Sequence, residues 1–200
     1  DLHPRVRRQR QMCIRDSATT VCLIIFPACF FFFADFQHLP VKSRFLASVF
    51  QSVTPRTAGF NTVDITMMTE ASKVVMILLM LIGGSPGSTA GGMKTTTFAV
   101  LLLNAVATFK SQEHAGAFGR RIDDQVIKNA ASIAMLYFMM FLAGGIMIST
   151  AEGLPILGSL FEAASAMGTV GLTLGITPSL HKISLYVLIC LLYTSPSPRD

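Results

Sequence analysis

Apolar residues fall in long runs separated by short polar punctuation, and the lengths of these runs predict the elements. Ala18 to Phe36 is one such run, with Asp35 near its end as its charged residue. A helix crossing a bilayer needs about 20 mostly apolar residues, so this run is the first predicted span. Arg44 to Thr54 is too short and too polar to cross. It suits a re-entrant helix that stops at Pro55 and feeds an extended segment, Thr57 to Asn61. Ala71 to Ile82 begins a further span, which Gly83-Gly84-Ser85-Pro86-Gly87-Ser88-Thr89-Ala90-Gly91-Gly92 interrupts and which resumes from Met93 to Phe109. Irregular backbone at membrane depth survives only where protein or water satisfies it, so the break is expected to face a cavity.

Lys110 to Asp124 is polar, carries Arg120, Arg121, Asp123 and Asp124, and reads as an aqueous linker. Beyond it the same order returns. Ala130 to Ile148 is a span, Pro155 to Met167 a second re-entrant helix, Thr169 to Thr173 a second extended segment, and Ile183 to Leu192 the start of a last span cut short. The division is thus a tail at 1–17, a repeat at 18–109, a linker at 110–124, a truncated repeat at 125–192 and a tail at 193–200. Both tails change composition abruptly and read as unrelated to the rest. The expected fold class is an all-α membrane protein of tandem helix, pore-loop, helix repeats.

The two extended segments share a pattern: Thr57-Ala58-Gly59-Phe60-Asn61 and Thr169-Val170-Gly171-Leu172-Thr173. Matching punctuation precedes each, Ser48-Val49-Phe50-Gln51 in one and Ser159-Leu160-Phe161-Glu162 in the other. Each pattern resembles a potassium filter strand of the Thr-Val-Gly-Tyr-Gly kind. Such strands replace an ion's hydration shell with backbone carbonyls, and glycine permits the geometry that aims them. A glycine that merely ends a short helix is the ordinary reading of either copy alone; the paired context favours the filter. Phe60-Asn61 and Leu172-Thr173 lack the second glycine and the tyrosine, which leaves strict potassium selectivity open.

Composition narrows the class. The chain is 52% hydrophobic and 14% charged, with a mean hydropathy of +0.57 and a pI near 9.3. The net charge of +5 sits at the ends and in loops, not on a basic face interleaved with aromatics, so nucleic acid is not an expected partner. Cys13, Cys22, Cys29 and Cys190 lack zinc or redox spacing and read as buried thiols. His3, His38, His114 and His181 read as isolated. Gly87 to Gly92 followed by Lys94-Thr95 nearly matches a phosphate-binding loop, but Met93 breaks the spacing and no strand precedes it. An enzyme is not expected.

Taken together, these segments resemble the membrane subunits of Trk/Ktr/HKT potassium transporters. Arg56 to Asp64 is similar to the family's third filter, Gly83 to Thr97 to its broken inner helix and Phe161 to Pro178 to its fourth filter, with the glycine-rich stretch closer to the Ktr type. The resemblance implies four repeats around one pore, of which this chain is the C-terminal half. It implies ion binding by backbone carbonyls of Thr57, Ala58, Gly59 and Phe60 and of Thr169, Val170, Gly171 and Leu172. It also implies a gate at Gly83, Gly84, Ser85, Gly87, Ser88, Thr89, Gly91, Gly92 and Lys94. Lys94 either repels cations beside the path or snorkels at a helix end. Asp64 and Glu162 either concentrate cations at the mouth or cap helices. Further implications are potassium uptake across the cell membrane with sodium stimulation open, no resident cofactor, homodimerisation of the whole subunit, and a cytoplasmic nucleotide-binding regulatory subunit. The competing function is a non-transporting membrane scaffold.

Overall fold

The computed structural model describes residues 4–84, 91–110, 116–117, 120–121 and 123–194. Helix α1 runs from Pro4 to Ala34 and carries Pro27 inside it. It continues through the boundary expected at residue 17, because Pro4 is tolerated at a first helical position and nothing between it and Ser17 breaks a helix. A short 3-10 turn, Phe36–His38, leads to α2, Val41–Val53. After the first filter motif come a second 3-10 turn, Ile65–Met67, and α3, Glu70–Leu81. Then α4 spans Thr95–Phe109.

The break between α3 and α4 has a closed neck. Gly83 N–H donates to Met93 O at 2.9 Å, Met93 N–H to Leu81 O at 3.1 Å and Thr95 N–H to Gly84 O at 3.3 Å. The two backbones come so close that a Cβ on Gly83 would lie 1.9 Å from Gly91 O, which only glycine allows. Of the expected gate, Gly83, Gly84, Gly91, Gly92 and Lys94 belong to this neck, whereas Ser85, Gly87, Ser88 and Thr89 lie outside the described residues. Lys94 stands at the N-cap of α4, which corrects any placement in the middle of a span.

The linker carries a two-residue antiparallel ladder, β1 (Gly116–Ala117) with β2 (Arg120–Arg121), a small addition to the expected all-helical fold. Helix α5, Asp124–Glu152, starts at the Asp123 side chain, which accepts from Gln125 N–H, and ends at Gly153 with φ +65°. Helix α6, Ile156–Met167, precedes the second filter motif. A 3-10 turn, Thr177–Ser179, and α7, Lys182–Thr194, complete the order. Among the described residues, two helical stretches are long and apolar enough to cross a membrane, Ser17–Ala34 and Asp124–Glu152.

The helices pack α1 on α2 and α3, and α6 on α3, α5 and α7. Phe31, Met76, Met80, Ile148, Phe161 and Met167 are fully buried where they meet. Outward faces carry Phe26, Leu136 and Tyr186 in the open, as expected of helices whose solvent is lipid. Cys22, Cys29 and Cys190 are free and exposed rather than buried. In a bilayer an apolar thiol has no need of the protein interior, so the soluble-protein expectation fails.

Each half fastens its second helix to the end of its first span through a carboxylate. Asp35 Oδ1 accepts from Thr69 N–H at 2.9 Å, and its Oδ2 accepts from the Ser72 hydroxyl, at the start of α3. Glu152 Oε1 accepts from His181 N–H at 2.7 Å and from the Ser184 hydroxyl at 2.5 Å, at the start of α7. His181 Nδ1 also lies 2.7 Å from Glu152 Oε2, so this histidine is not isolated as expected.

Candidate functional site

Helices α2 and α6, of 13 and 12 residues, are too short to cross a bilayer, and each ends where a filter motif begins. The C-terminal end of a helix carries partial negative charge, so both point a cation-favouring end at the base of the motif that follows.

Both motifs then adopt the same unusual backbone. In the first, Thr57 has φ +64° and Gly59 φ +72°; in the second, Thr169 has φ +52° and Gly171 φ +86°. Positive φ at a β-branched threonine is a true outlier, and here it occurs at the same motif position twice. In an ordinary strand successive carbonyls point to opposite sides. Reversing the sign of φ at every second residue turns the intervening peptide planes over and brings successive carbonyls toward one side, the arrangement an ion-coordinating strand needs.

The two strands face one another. A Cβ on Gly59 would lie 2.3 Å from Val170 O, so the first strand's central residue abuts the second strand's backbone. At Gly171 a Cβ would meet open space. The glycines are therefore held for different reasons: Gly59 for room and conformation, Gly171 for conformation alone.

Different devices hold the two strands. In the first, the Thr54 hydroxyl accepts from Phe60 N–H at 3.1 Å and donates to Phe60 O at 2.5 Å, while Thr54 O accepts from both Ala58 N–H and Gly59 N–H at 3.2 Å. One lone pair of the Phe60 carbonyl is thereby directed to α2. In the second, Val170 N–H donates to Ser165 O at 2.9 Å at the base. Above it, Glu162 holds the return: Oε1 accepts from Thr173 Oγ1 at 2.6 Å and Leu174 N–H at 3.0 Å, and Oε2 from Thr177 Oγ1 at 2.7 Å. Glu162 is only 4% exposed, which corrects its placement as a charge at the open mouth. Its counterpart Gln51 is also buried and donates instead to Met76 Sδ at 3.1 Å.

Beyond the strands lies a cleft of about 470 Å³ lined by Asn61 to Thr66 and by Thr173, Leu174 and Gly175. Asp64 lines it while accepting from Thr66 N–H at 2.9 Å and Thr66 Oγ1 at 2.6 Å. The Thr66 hydroxyl, then its N–H, holds the Asp64 carboxyl below the ordinary carboxylate range. A lowered value keeps the charge present above that range and loses it only in acid, so the cleft carries a fixed negative charge at neutral pH. Among the described residues, no group of three or more His, Cys, Asp or Glu is placed to hold a metal ion.

The two repeated motifs and both short helices lie where the sequence placed them. Sequence reasoning missed Thr54, Asp35 and Glu152 as fastening residues. The available signal was Thr69 with Ser72 and His181 with Ser184, pairs at equal spacing that follow the two filters at equal distance.

Comparison with known proteins points the same way. The TrkH family, described as cation transport protein, matches residues 17–194. The potassium/sodium uptake protein NtpJ of Enterococcus hirae is 40% identical over 154 residues, covering 75% of this chain and 34% of that protein. The Ktr system potassium uptake protein B of Bacillus subtilis is 38% identical over 156 residues, covering 78% and 35%. The crystal structure of the potassium transporter TrkH from Vibrio parahaemolyticus superposes with a TM-score of 0.73 over 88% of this chain and 40% of that one, at 20% identity, a likeness of fold. The chain therefore spans about a third of the length of these curated relatives.

Proposed function

This chain belongs to the TrkH family of cation transport proteins, and from that premise we propose that it supplies two of the carbonyl-lined walls of a potassium uptake pathway in the cell membrane. The family is one of transporters, not enzymes. The observation that carries the reading is the repeated backbone: positive φ at Thr57 and Gly59, and again at Thr169 and Gly171, on two strands that abut at Gly59 and Val170. Helix ends at the base of both strands and the Asp64 charge in the cleft beyond add a potential favourable to cations at either end.

Two strands do not encircle an ion. Potassium channels use four such loops, so the pathway requires further repeats outside this chain, arranged around the same axis. The glycine neck of Gly83, Gly84, Gly91 and Gly92 adjoins the base of the second motif through Gly91 and Thr169, and in this reading it serves as a movable restriction. The names of several relatives refer to a Ktr system, which supports a whole protein that works with a regulatory subunit; the family resemblance makes that subunit cytoplasmic and nucleotide-binding and the pore subunit a dimer. One relative is named for both potassium and sodium, so sodium belongs in every assay.

Rubidium uptake by the full-length parent protein in a bacterium lacking its own potassium uptake tests the proposal. We expect saturable uptake dependent on the parent, and faster leak when Gly83–Gly92 is deleted. A well-expressed parent without uptake would favour the membrane scaffold.

A further inference from the structure

Arginine and aromatic rings meet where α1 ends and α2 begins. The last turn of α1 leaves carbonyls without helical partners, and each finds one: Phe31 O accepts from Asp35 N–H at 3.1 Å, Phe33 O from the Gln37 amide, and Phe32 O from Arg44 Nε at 2.6 Å. The last of these draws the half-buried guanidinium across the join and lays it on the Phe32 ring, 3.9 Å from the centroid. A guanidinium has five N–H donors, and this bond uses one. Among the described residues, no hydrogen bond or ion pair takes up the other four. The carboxylate at this end, Asp35, is already engaged by Thr69 and Ser72. Arg44 is thus a cation held in place with its phosphate-matching fork unused.

Its surroundings are apolar and open. The Phe33 ring lies 5.8 Å from the guanidinium and is 67% exposed. On α2, Val41 and Phe45 stand one turn apart and exposed, and the exposed Lys42 is within a turn of Phe45. Since α1 is a span, its end marks the depth at which hydrocarbon gives way to headgroups.

The internal repeat shows that a neighbouring repeat leaves this end uncovered. With Phe50 matched to Phe161, Phe45 corresponds to Ile156 on α6. Ile156 remains 49% exposed although α3, α5 and α7 all pack on α6. The same matching pairs Arg44 with Pro155 and Lys42 with Gly153, so neither cation is part of the repeated scaffold.

We propose that Arg44 and Lys42 bind the phosphate of an anionic phospholipid, with Phe33 and Phe45 flanking the start of its acyl chain. Arg44 supplies a bidentate donor pair and Lys42 a second charge, while the open rings take the apolar part of the same molecule. Two cations without a paired acid favour a headgroup of net negative charge over a zwitterionic one. This reading needs the chain to lie in a bilayer and goes beyond the pore.

The test uses the full-length parent protein with its native tryptophans replaced by phenylalanine and Phe45→Trp as the reporter, reconstituted in phosphatidylcholine vesicles containing a minor share of phosphatidylglycerol. Quenching of the reporter is compared when the acyl chains of one lipid or the other are brominated. Phosphatidylglycerol is expected to be preferred roughly threefold or more at this position, the scale of a basic side chain at a charged membrane surface. Arg44→Gln should bring the preference close to unity and Lys42→Gln should roughly halve it. Lys42 makes no contact that holds the fold among the described residues, so its variant remains informative if Arg44→Gln does not fold. Equal quenching by the two lipids in the parent overturns the proposal, as does a preference that survives both substitutions in folded protein. Soluble glycerol phosphate added in excess is expected to leave the preference unchanged; if it abolishes it, the site takes a free phosphate and the lipid is excluded. No ion flux enters the readout, so failure here leaves the pore reading standing, and absent rubidium uptake leaves this one.

Discussion

Thr57 and Thr169 adopt a conformation that costs about 1–3 kcal/mol each for a residue of their kind, so the neighbouring contacts must over-determine it. At Thr169 the principal anchor of the return is Glu162, through three hydrogen bonds to the segment after the strand. Hydrogen bonds to a carboxylate contribute roughly 1.5–3 kcal/mol each, less the relaxation that follows truncation. Glu162→Ala should therefore destabilise the full-length protein by about 2–4 kcal/mol in thermal unfolding. Glu162→Gln should lose less than half of that, because its amide still accepts from Leu174 N–H and donates to a threonine hydroxyl. Equal losses in the two variants would mean that side-chain volume, not hydrogen bonding, holds the loop. The sequence marks Glu162 as the counterpart of Gln51, but not which way either points. Direction depends on the path of the returning chain, which Thr173 and Thr177 draw over Glu162 while Gln51 turns to Met76.

Run length decided most of what was legible at the scale of elements. Helices α2 and α6 were readable because runs this short and this punctuated have no other place in a bilayer, and the α3–α4 break because ten residues rich in glycine cannot continue a helix. The start of α1 was not readable, since a polar helix continuing an apolar one shows no breaker at the join. The carboxylate fastenings were hidden for a different reason. Thr69 with Ser72 matches His181 with Ser184, yet Asp35 and Glu152 do not share that offset, because the two first spans end differently: α1 through a 3-10 turn, α5 at a glycine cap. Asp35→Asn and Glu152→Gln should each cost about 1 kcal/mol, the ordinary worth of a helix cap. The sites share no partner, so the double variant should be additive within about 0.5 kcal/mol by thermal unfolding. A clear excess in the double variant would show that the halves do not hold their second helices independently.

The described residues repeat one unit, span, short helix, extended motif and second helix, set so that the two motifs meet. Their close approach at Gly59 and Val170 could not be read from spacing, because it joins residues from different repeats. Nor could the asymmetry of the glycines, which arises because only Gly59 abuts the other strand. Under the proposed pore reading, that difference makes the two walls of the pathway unequal. The central claim is that both strands line one cation path, and the most direct test is the ratio of rubidium to sodium uptake by the full-length parent, Gly59→Ser and Gly171→Ser. Both substitutions are expected to lower the ratio in normally folded protein, and Gly59→Ser, which must displace Val170 O as well as adopt a strained φ, to do so more strongly. An unchanged ratio in both folded variants would contradict that claim.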